Sequence, residues 1–423
     1  MKNEPQSGAY VIEGGYGLYG ETEILAAKNA VLPIIACCAA VRGEVRLGRC
    51  EQTSDAVAML DILRSLGGKC RFEGTDIHID CRDLDRHTVD RTLTSRLRSS
   101  VFILGPLVAA LRKAEISYPG GCDIGVRPID IHTGGLAALG VELTEDGDKI
   151  VCDGRGLHGG ETTLPFPSVG ATENLMMAAM LCKGRTVIRN AAQEPEIVDL
   201  QNFINACGGH VRGAGGKTIV VEGATALHGV EYTPIGDRIA AGTFLIGGAM
   251  CGGELTVKGA DPSYLESLTG LLVSAGAEVT EYPNALTVRS TGRLRTVKKA
   301  ETRPYPGFPT DLQAPMTAMM AAGEGKGYII ENLFENRFRH VPELRKMGAD
   351  ITVCGRAATV RGRRLHGACV NAEDLRGGAA LVLAALKADG KSTVRGISHI
   401  DRGYYDFDEK LSALGAHIKR VNQ

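Results

Sequence analysis

The 423-residue chain contains no tryptophan, and its aromatic content is only 5%. That scarcity disfavours the aromatic platforms on which single-stranded nucleic acids stack. Neither sign of charge predominates: 48 Lys and Arg stand against 49 Asp and Glu, a formal net charge of −1. A nucleic-acid-binding or membrane-surface protein would carry a basic excess. Long apolar runs are missing too. The longest, Val31 to Val41, is far short of the roughly 20 residues that span a bilayer. The 12 cysteines are scattered, with no C-x-x-C pair and no Cys/His cluster at zinc spacing. That usage fits a reducing cytoplasm. The first residues, Met1-Lys2-Asn3-Glu4-Pro5, lack the basic-then-apolar pattern of a secretion signal.

Glycine, by contrast, is abundant at 55 residues, and six glycines recur every 67 to 73 positions: Gly67, Gly140, Gly208, Gly276, Gly348 and Gly415. A glycine just past a helix is a left-handed C-cap, so each marks the same point in a repeated unit. Their flanks agree. Stretches 55–66, 199–207, 264–275, 341–347 and 408–414 have the periodicity of amphipathic helices. Strand-like segments precede them at 186–188, 255–257 and 393–395, and follow them at 217–222 and 358–361. Each unit carries a second helix, at 26–40, 99–110, 172–181, 241–250, 314–322 and 376–386. These are apolar nearly all round and are therefore expected to be buried. Six βαβαββ copies can form an open solenoid, one closed ring, or two lobes of three. Pro234-Ile235-Gly236, between copies three and four, suits a boundary. Two lobes, with the active site in the cleft between them, is the expected arrangement.

One motif misleads. Gly15, Gly17 and Gly20 form G-x-G-x-x-G after an apolar strand. The fingerprint also needs a βαβ context and a downstream acidic residue. Here it is followed by Glu21 and Glu23, which would oppose a pyrophosphate.

Residues 119–128, Pro-Gly-Gly-Cys-Asp-Ile-Gly-Val-Arg-Pro, must form a loop. Its glycines permit close backbone approach to a ligand. Arg127 offers a planar fork for phosphate or carboxylate and favours the thiolate of Cys122. Elsewhere, charged residues stand at the ends of apolar helices, where solvent-facing periodicity does not account for them. They are Lys28 beside Asn29, Arg98, Asp237-Arg238, Asp311, Arg337, Asp374 with Arg376, and Asp401-Arg402. One such residue alone would be a cap or a surface ion pair. Recurrence at equivalent places in successive repeats points to a shared site. A site holding Lys28, Arg98, Arg127, Arg337, Arg376 and Arg402 suits a substrate with several phosphates or carboxylates.

These residues carry a resemblance. Ala27-Lys28-Asn29-Ala30, Pro119-Gly120-Gly121-Cys122, Ile124-Gly125-Val126-Arg127-Pro128, Phe308-Pro309-Thr310-Asp311, Glu335-Asn336-Arg337-Phe338 and His399-Ile400-Asp401-Arg402-Gly403-Tyr404 are similar to motifs of the UDP-N-acetylglucosamine 1-carboxyvinyltransferases, within the enolpyruvyl transferase family. The likeness runs from about Tyr10 to the C-terminus. It implies an α/β fold of two lobes, each an inverse α/β barrel of three βαβαββ repeats. One lobe would span 28–235 and carry the Cys122 loop; the other would comprise 1–27 with 236–423. It also implies transfer of an enolpyruvyl group from phosphoenolpyruvate to the 3-hydroxyl of UDP-N-acetylglucosamine, the first committed step of peptidoglycan synthesis. No metal or other cofactor is implied, nor any nucleic-acid or membrane partner.

By the same resemblance Cys122 is the general acid that protonates the phosphoenolpyruvate methylene, and the residue alkylated by the epoxide fosfomycin. Asp311 takes the proton of the sugar hydroxyl. Lys28, Arg127 and Arg402 clamp phosphoenolpyruvate, with Asn29, Arg337 and Arg376 beside them. Arg98, Pro128, Ile129, Asp130, Ile131, Pro167, Ser168, Val169, Asp311 and Leu333 contact the UDP-sugar. Two departures stand out. Phe166 occupies a place where some relatives carry lysine, and Asp123 directly follows the cysteine, where its charge opposes thiolate formation. The 119–128 loop is expected to act as a lid over the bound sugar.

The nearest rival is the sister enzyme of the shikimate pathway, which lacks a cysteine acid. Another is an idle paralogue that binds UDP-sugar without turning it over, although every catalytic position named above is filled. A plain repeat scaffold would spread its polar residues along one exposed face.

Overall fold

The computed structural model describes residues 8–120 and 129–422. Most of the 119–128 loop, with Cys122, Arg127 and Pro128, lies outside the described residues.

The repeat is visible in the sheets. There are six, each of four strands, and each joins one parallel pair to two antiparallel partners in the same order. Thr88–Val89 runs parallel to Lys113–Ser117, which is antiparallel to Lys149–Asp153, itself antiparallel to Glu142–Asp146. Lys299–Glu301, Lys326–Ile330, Ala357–Arg361 and Asp350–Cys354 repeat the pattern. Strands such as Glu44–Leu47 and Lys391–Arg395 alternate exposed and buried side chains, so one face of each sheet is turned to the core. The six periodic glycines all have positive φ, from 83° to 106°. Only glycine takes that conformation without strain, which is why the repeat is punctuated by this residue.

The described chain divides into two compact units, 25–120 with 129–235, and 8–24 with 236–422. Each holds three sheets and its own core. The first strand of the chain, Ala9–Glu13, is paired antiparallel on both sides, with Lys391–Arg395 and His417–Val421. The next, Leu18–Glu23, lies parallel to Gly253–Lys258. The G-x-G-x-x-G therefore sits at a strand-to-strand step with no helix behind it.

The apolar helices form the centres of the units. Arg238–Cys251 and Leu375–Lys387 are buried along nearly their whole lengths, and Gln313–Ala322 is buried from its first residue to Ala321. Asp237 and Asp374 cap the first two by accepting two backbone amides each. Sheets outside and helices inside make each unit an inverse α/β barrel.

Two elements depart from the expected ranges. Residues 99–110 are not one helix: Arg98–Ile103 winds as a 3-10 turn, and the α-helix runs from Leu104 to Leu111. The Gly105 amide donates to the Asn174 side chain at 2.7 Å, and Pro106 has no amide to donate. The i to i−4 ladder therefore cannot begin earlier. Similarly, 26–40 is an α-helix only over Lys28–Cys37, followed by a 3-10 turn over Cys38–Ala40. Cys37 and Cys38 are buried thiols, and burial raises both well above the ordinary thiol range.

Asn174 is fully buried and bridges elements: it also donates to the Val101 carbonyl at 3.0 Å and meets His132 Nδ1 at 3.1 Å. Asn174→Leu leaves the Gly105 amide without its acceptor and takes one of two donors from the Val101 carbonyl, which keeps the Leu104 amide. The expected loss is at least about 2 kcal/mol, read from urea unfolding followed by circular dichroism.

Candidate functional site

In the unit containing 25–235, Lys28 opens a buried helix whose preceding residue, Ala27, has no side chain able to cap it. The Lys28 ammonium is paired instead with Asp55 at 2.6 Å, and both side chains are almost fully buried. Asp55 stands in the first turn of the Ser54–Ser65 helix, behind the Thr53 N-cap. Asn29 is exposed on the following position. The segment leading into Lys28 is pinned from behind: the Ala27 amide donates to Ile235 O at 2.7 Å, and the Ile235 amide donates to Asp199 Oδ2 at 3.2 Å. Burial pushes the Asp199 carboxyl up to about 6, against the Tyr232 hydroxyl bonded to it at 2.6 Å.

Three more predicted elements converge in this unit. Arg98 begins the 3-10 turn and donates to the Pro119 carbonyl at 3.4 Å; burial lowers its pKa. Gly120 donates its amide to Thr94 O at 3.0 Å, and a Cβ there would lie 2.1 Å from Ser95 O, so no side chain fits. Ile129 is nearly buried, with Asp130 and Ile131 opening the Asp130–Ala138 helix. Pro167, Ser168 and Val169 open another, with Ser168 as its N-cap. At Gly170 these meet: an added Cβ would lie 3.1 Å from both Phe102 Cε1 and His132 Cε1. Phe166 beside them is 46% exposed, a large apolar surface.

In the other unit a carboxylate is shared between two guanidinium groups. Asp311 Oδ1 accepts from Arg337 Nη2 at 2.5 Å, and Oδ2 accepts from Arg376 Nη2 at 3.2 Å. The arginine side chains are 6% and 4% exposed, the aspartate 26%. Arg337 Nε and Arg376 Nη1 remain without a hydrogen-bond partner among the described residues. The trio thus sets two buried, unmatched donors behind a partly exposed carboxylate that already accepts from both guanidinium groups.

Burial disfavours the Arg376 charge, yet Tyr404, Asp311 and Asp237 outweigh it and raise its pKa. The Tyr404 ring lies 5.3 Å from the guanidinium carbon. Its hydroxyl is 2.8 Å from Thr243 Oγ1, which itself donates to Ile239 O at 2.9 Å. The Tyr404 proton is therefore committed to Thr243, leaving its oxygen to accept from Arg376. Arg402 lies in the turn after the Ile397–His399 segment and, after burial, is the next cause of the lowered pKa of His399. Leu333 precedes Phe334, whose ring lies 5.6 Å from the Arg337 guanidinium.

Comparison with known proteins bears on this arrangement. A family model described as EPSP synthase (3-phosphoshikimate 1-carboxyvinyltransferase) matches residues 12–411. The chain belongs to this enolpyruvyl transferase family. Within it, the chain is 47% identical to UDP-N-acetylglucosamine 1-carboxyvinyltransferase 2 of Caldanaerobacter subterraneus over 98% of its own length and 100% of that protein. It is 44% identical to the UDP-N-acetylglucosamine 1-carboxyvinyltransferase of Thermotoga maritima over 98% of its length and 99% of that protein. Among solved structures, the enolpyruvyl transferase NikO from Streptomyces tendae superposes with a TM-score of 0.88 at 24% identity, covering 99% of this chain and 100% of that one. EPSP synthase from Acinetobacter baumannii gives 0.75 at 17% identity, covering 98% and 100%. At these identities the likeness concerns the enolpyruvyl transferase fold.

Sequence reasoning overlooked three residues that stand beside candidate site residues within the two units. Asp55 carried one signal, a carboxylate directly after a Thr-Ser cap. Tyr404 lay inside a quoted motif but was given no role. His340 is buried beside Arg337 and Asp374, with neither ring nitrogen hydrogen-bonded among the described residues, and burial pushes it down to about 4. It is neutral at physiological pH and adds no charge to the arginines.

Asp55→Ala removes the buried carboxylate paired with Lys28 and is expected to destabilise the protein by about 3 kcal/mol, measured by urea unfolding. Asp199 generates a pH effect. Its folded pKa of about 6 exceeds the unfolded value, so its contribution is full below about pH 4 and is lost as pH rises to about 6. Relative to Asp199→Asn, the wild type is expected to lose stability over that window, by up to about 3 kcal/mol, as read from melting temperature against pH.

Proposed function

We propose that this enolpyruvyl transferase moves the enolpyruvyl group of phosphoenolpyruvate to the 3-hydroxyl of UDP-N-acetylglucosamine, with release of phosphate, at the first committed step of peptidoglycan synthesis in the cytoplasm. One observation carries the choice of acceptor. Relatives named for the UDP-sugar reaction are 43% to 47% identical over nearly the whole chain, whereas the EPSP synthase of Acinetobacter baumannii is 17% identical. Steric requirements agree: a nucleotide sugar needs a site assembled from several elements, and Arg98, Ile129–131 and Pro167–Val169 stand on elements that converge near Gly170.

The chemistry assigns work to both units. In addition, Asp311 takes the 3-hydroxyl proton, the sugar oxygen bonds to C2 of phosphoenolpyruvate, and Cys122 delivers a proton to C3. The resulting ketal bears phosphate and carboxylate on one carbon. In elimination, the bond from C2 to the phosphate oxygen breaks and C3 loses a proton, restoring the double bond in the product. Fixed cations are worth most where that negative charge gathers, and Lys28, Arg127, Arg337, Arg376 and Arg402 supply them. A general acid and a general base are both needed, because one proton goes to carbon and another leaves oxygen.

The test is phosphate release from phosphoenolpyruvate with and without UDP-N-acetylglucosamine. Release is expected to require the UDP-sugar and to fall at least about 100-fold in Cys122→Ala. Cys122→Asp is expected to retain turnover and resist epoxide alkylation. Release with 3-phosphoshikimate instead would overturn the choice of acceptor, and wild-type rates in Cys122→Ala would remove the thiol from the acid role.

A further inference from the structure

Glu331 is a fully buried carboxylate, at 0% exposure, in the unit that holds Asp311. It follows the Lys326–Ile330 strand and accepts four hydrogen bonds, three on Oε1 and one on Oε2. Thr302 Oγ1 and the Leu333 amide each donate to Oε1 at 2.9 Å, the Phe334 amide donates to Oε1 at 3.2 Å, and Thr310 Oγ1 donates to Oε2 at 2.9 Å. Thr302 in turn accepts the Asn332 amide at 3.0 Å.

The donors matter for where they lie. Thr310 is the residue before Asp311, in the short Thr310–Leu312 turn that enters the Gln313–Ala322 helix. Leu333 and Phe334 begin the loop that leads to Arg337, and the Phe334 ring lies against the Arg337 guanidinium. One oxygen of Glu331 therefore holds the backbone that presents the proposed base. The other holds the backbone that presents Leu333 and approaches the arginine paired with that base. Being fully buried, Glu331 has no surface left for a substrate.

We infer that Glu331 is a positioning residue, which fixes the Asp311 carboxylate at one spacing from the Leu333–Phe334 backbone and so sets the sugar hydroxyl against its base. The inference rests on the reading of Asp311 as base and of Leu333 as a UDP-sugar contact. Three donors on one oxygen and one on the other make the two sides separable. Thr310→Val removes the Asp311 side alone and keeps side-chain shape. Glu331→Ala releases both sides and leaves the Leu333 and Phe334 amides without acceptors. Glu331→Gln keeps an oxygen for those amides and turns an amide group toward the Thr310 hydroxyl, which can rotate to accept.

The experiment measures kcat and both KM values for the full chain, together with calorimetric affinity for UDP-N-acetylglucosamine. Thr310→Val is expected to lower kcat roughly 10-fold or more, since a small misplacement of a reacting group is costly, with the phosphoenolpyruvate KM nearly unchanged. In an Asp311→Asn background the same substitution is expected to cost less than about 2-fold, because it acts through Asp311. Glu331→Ala is expected to weaken UDP-sugar affinity about 10-fold as well, and Glu331→Gln to recover most of both losses. Wild-type kcat in Thr310→Val, or an equal loss in the Asp311→Asn background, would overturn the inference while leaving the proposed reaction standing. A wild-type chain that releases no phosphate with UDP-N-acetylglucosamine would remove both.

Discussion

Two nearly buried guanidinium groups share the Asp311 carboxylate, and much of that unit is arranged to make so much charge tolerable there. A buried ion pair is stable only when its remaining protons and lone pairs are met. Asp374 is occupied with the amides of its own helix. Tyr404, fixed by Thr243, offers Arg376 an oxygen. His340, close to both Arg337 and Asp374, is held neutral by burial. The guanidinium nitrogens left over are buried donors that this environment does not satisfy among the described residues.

The unit containing 25–235 handles charge differently. Lys28 is an ammonium paired with a buried aspartate, and a second buried carboxyl, Asp199, is bonded to the Tyr232 hydroxyl. Its elements converge through contacts among Phe102, His132 and Gly170, where an added methyl would press tightly on both rings.

The repeat was the most legible feature of the sequence. Its period is carried by Gly67, Gly140, Gly208, Gly276, Gly348 and Gly415, and a left-handed backbone leaves a strong mark because few other residues take its place. The buried helices were legible for a similar reason, since hydrophobicity on all sides admits one environment. Their starts were less so. The 3-10 turn at 98–103 depends on Asn174, about seventy residues away, capturing the Gly105 amide, and no local pattern announces that. Candidate site residues with unusual charge stood out at helix ends. Their supports did not: Asp55, Glu331 and His340 are ordinary residues in ordinary stretches until the fold gives them neighbours. Function was legible through ordered motifs, not through composition.

The strand Ala9–Glu13 lies between Lys391–Arg395 and His417–Val421, so the earliest and latest parts of the chain share one sheet. During synthesis the first strand emerges long before either of its partners exists. Residues 25–235 have all their strand partners within that range, and can close as a unit while the ribosome is still at work. The other unit cannot. Its strand Ala9–Glu13 waits, with both edges unpaired, until Lys391–Arg395 and His417–Val421 have been made. A chain without residues 391–421 would thus hold one finished half and one open sheet.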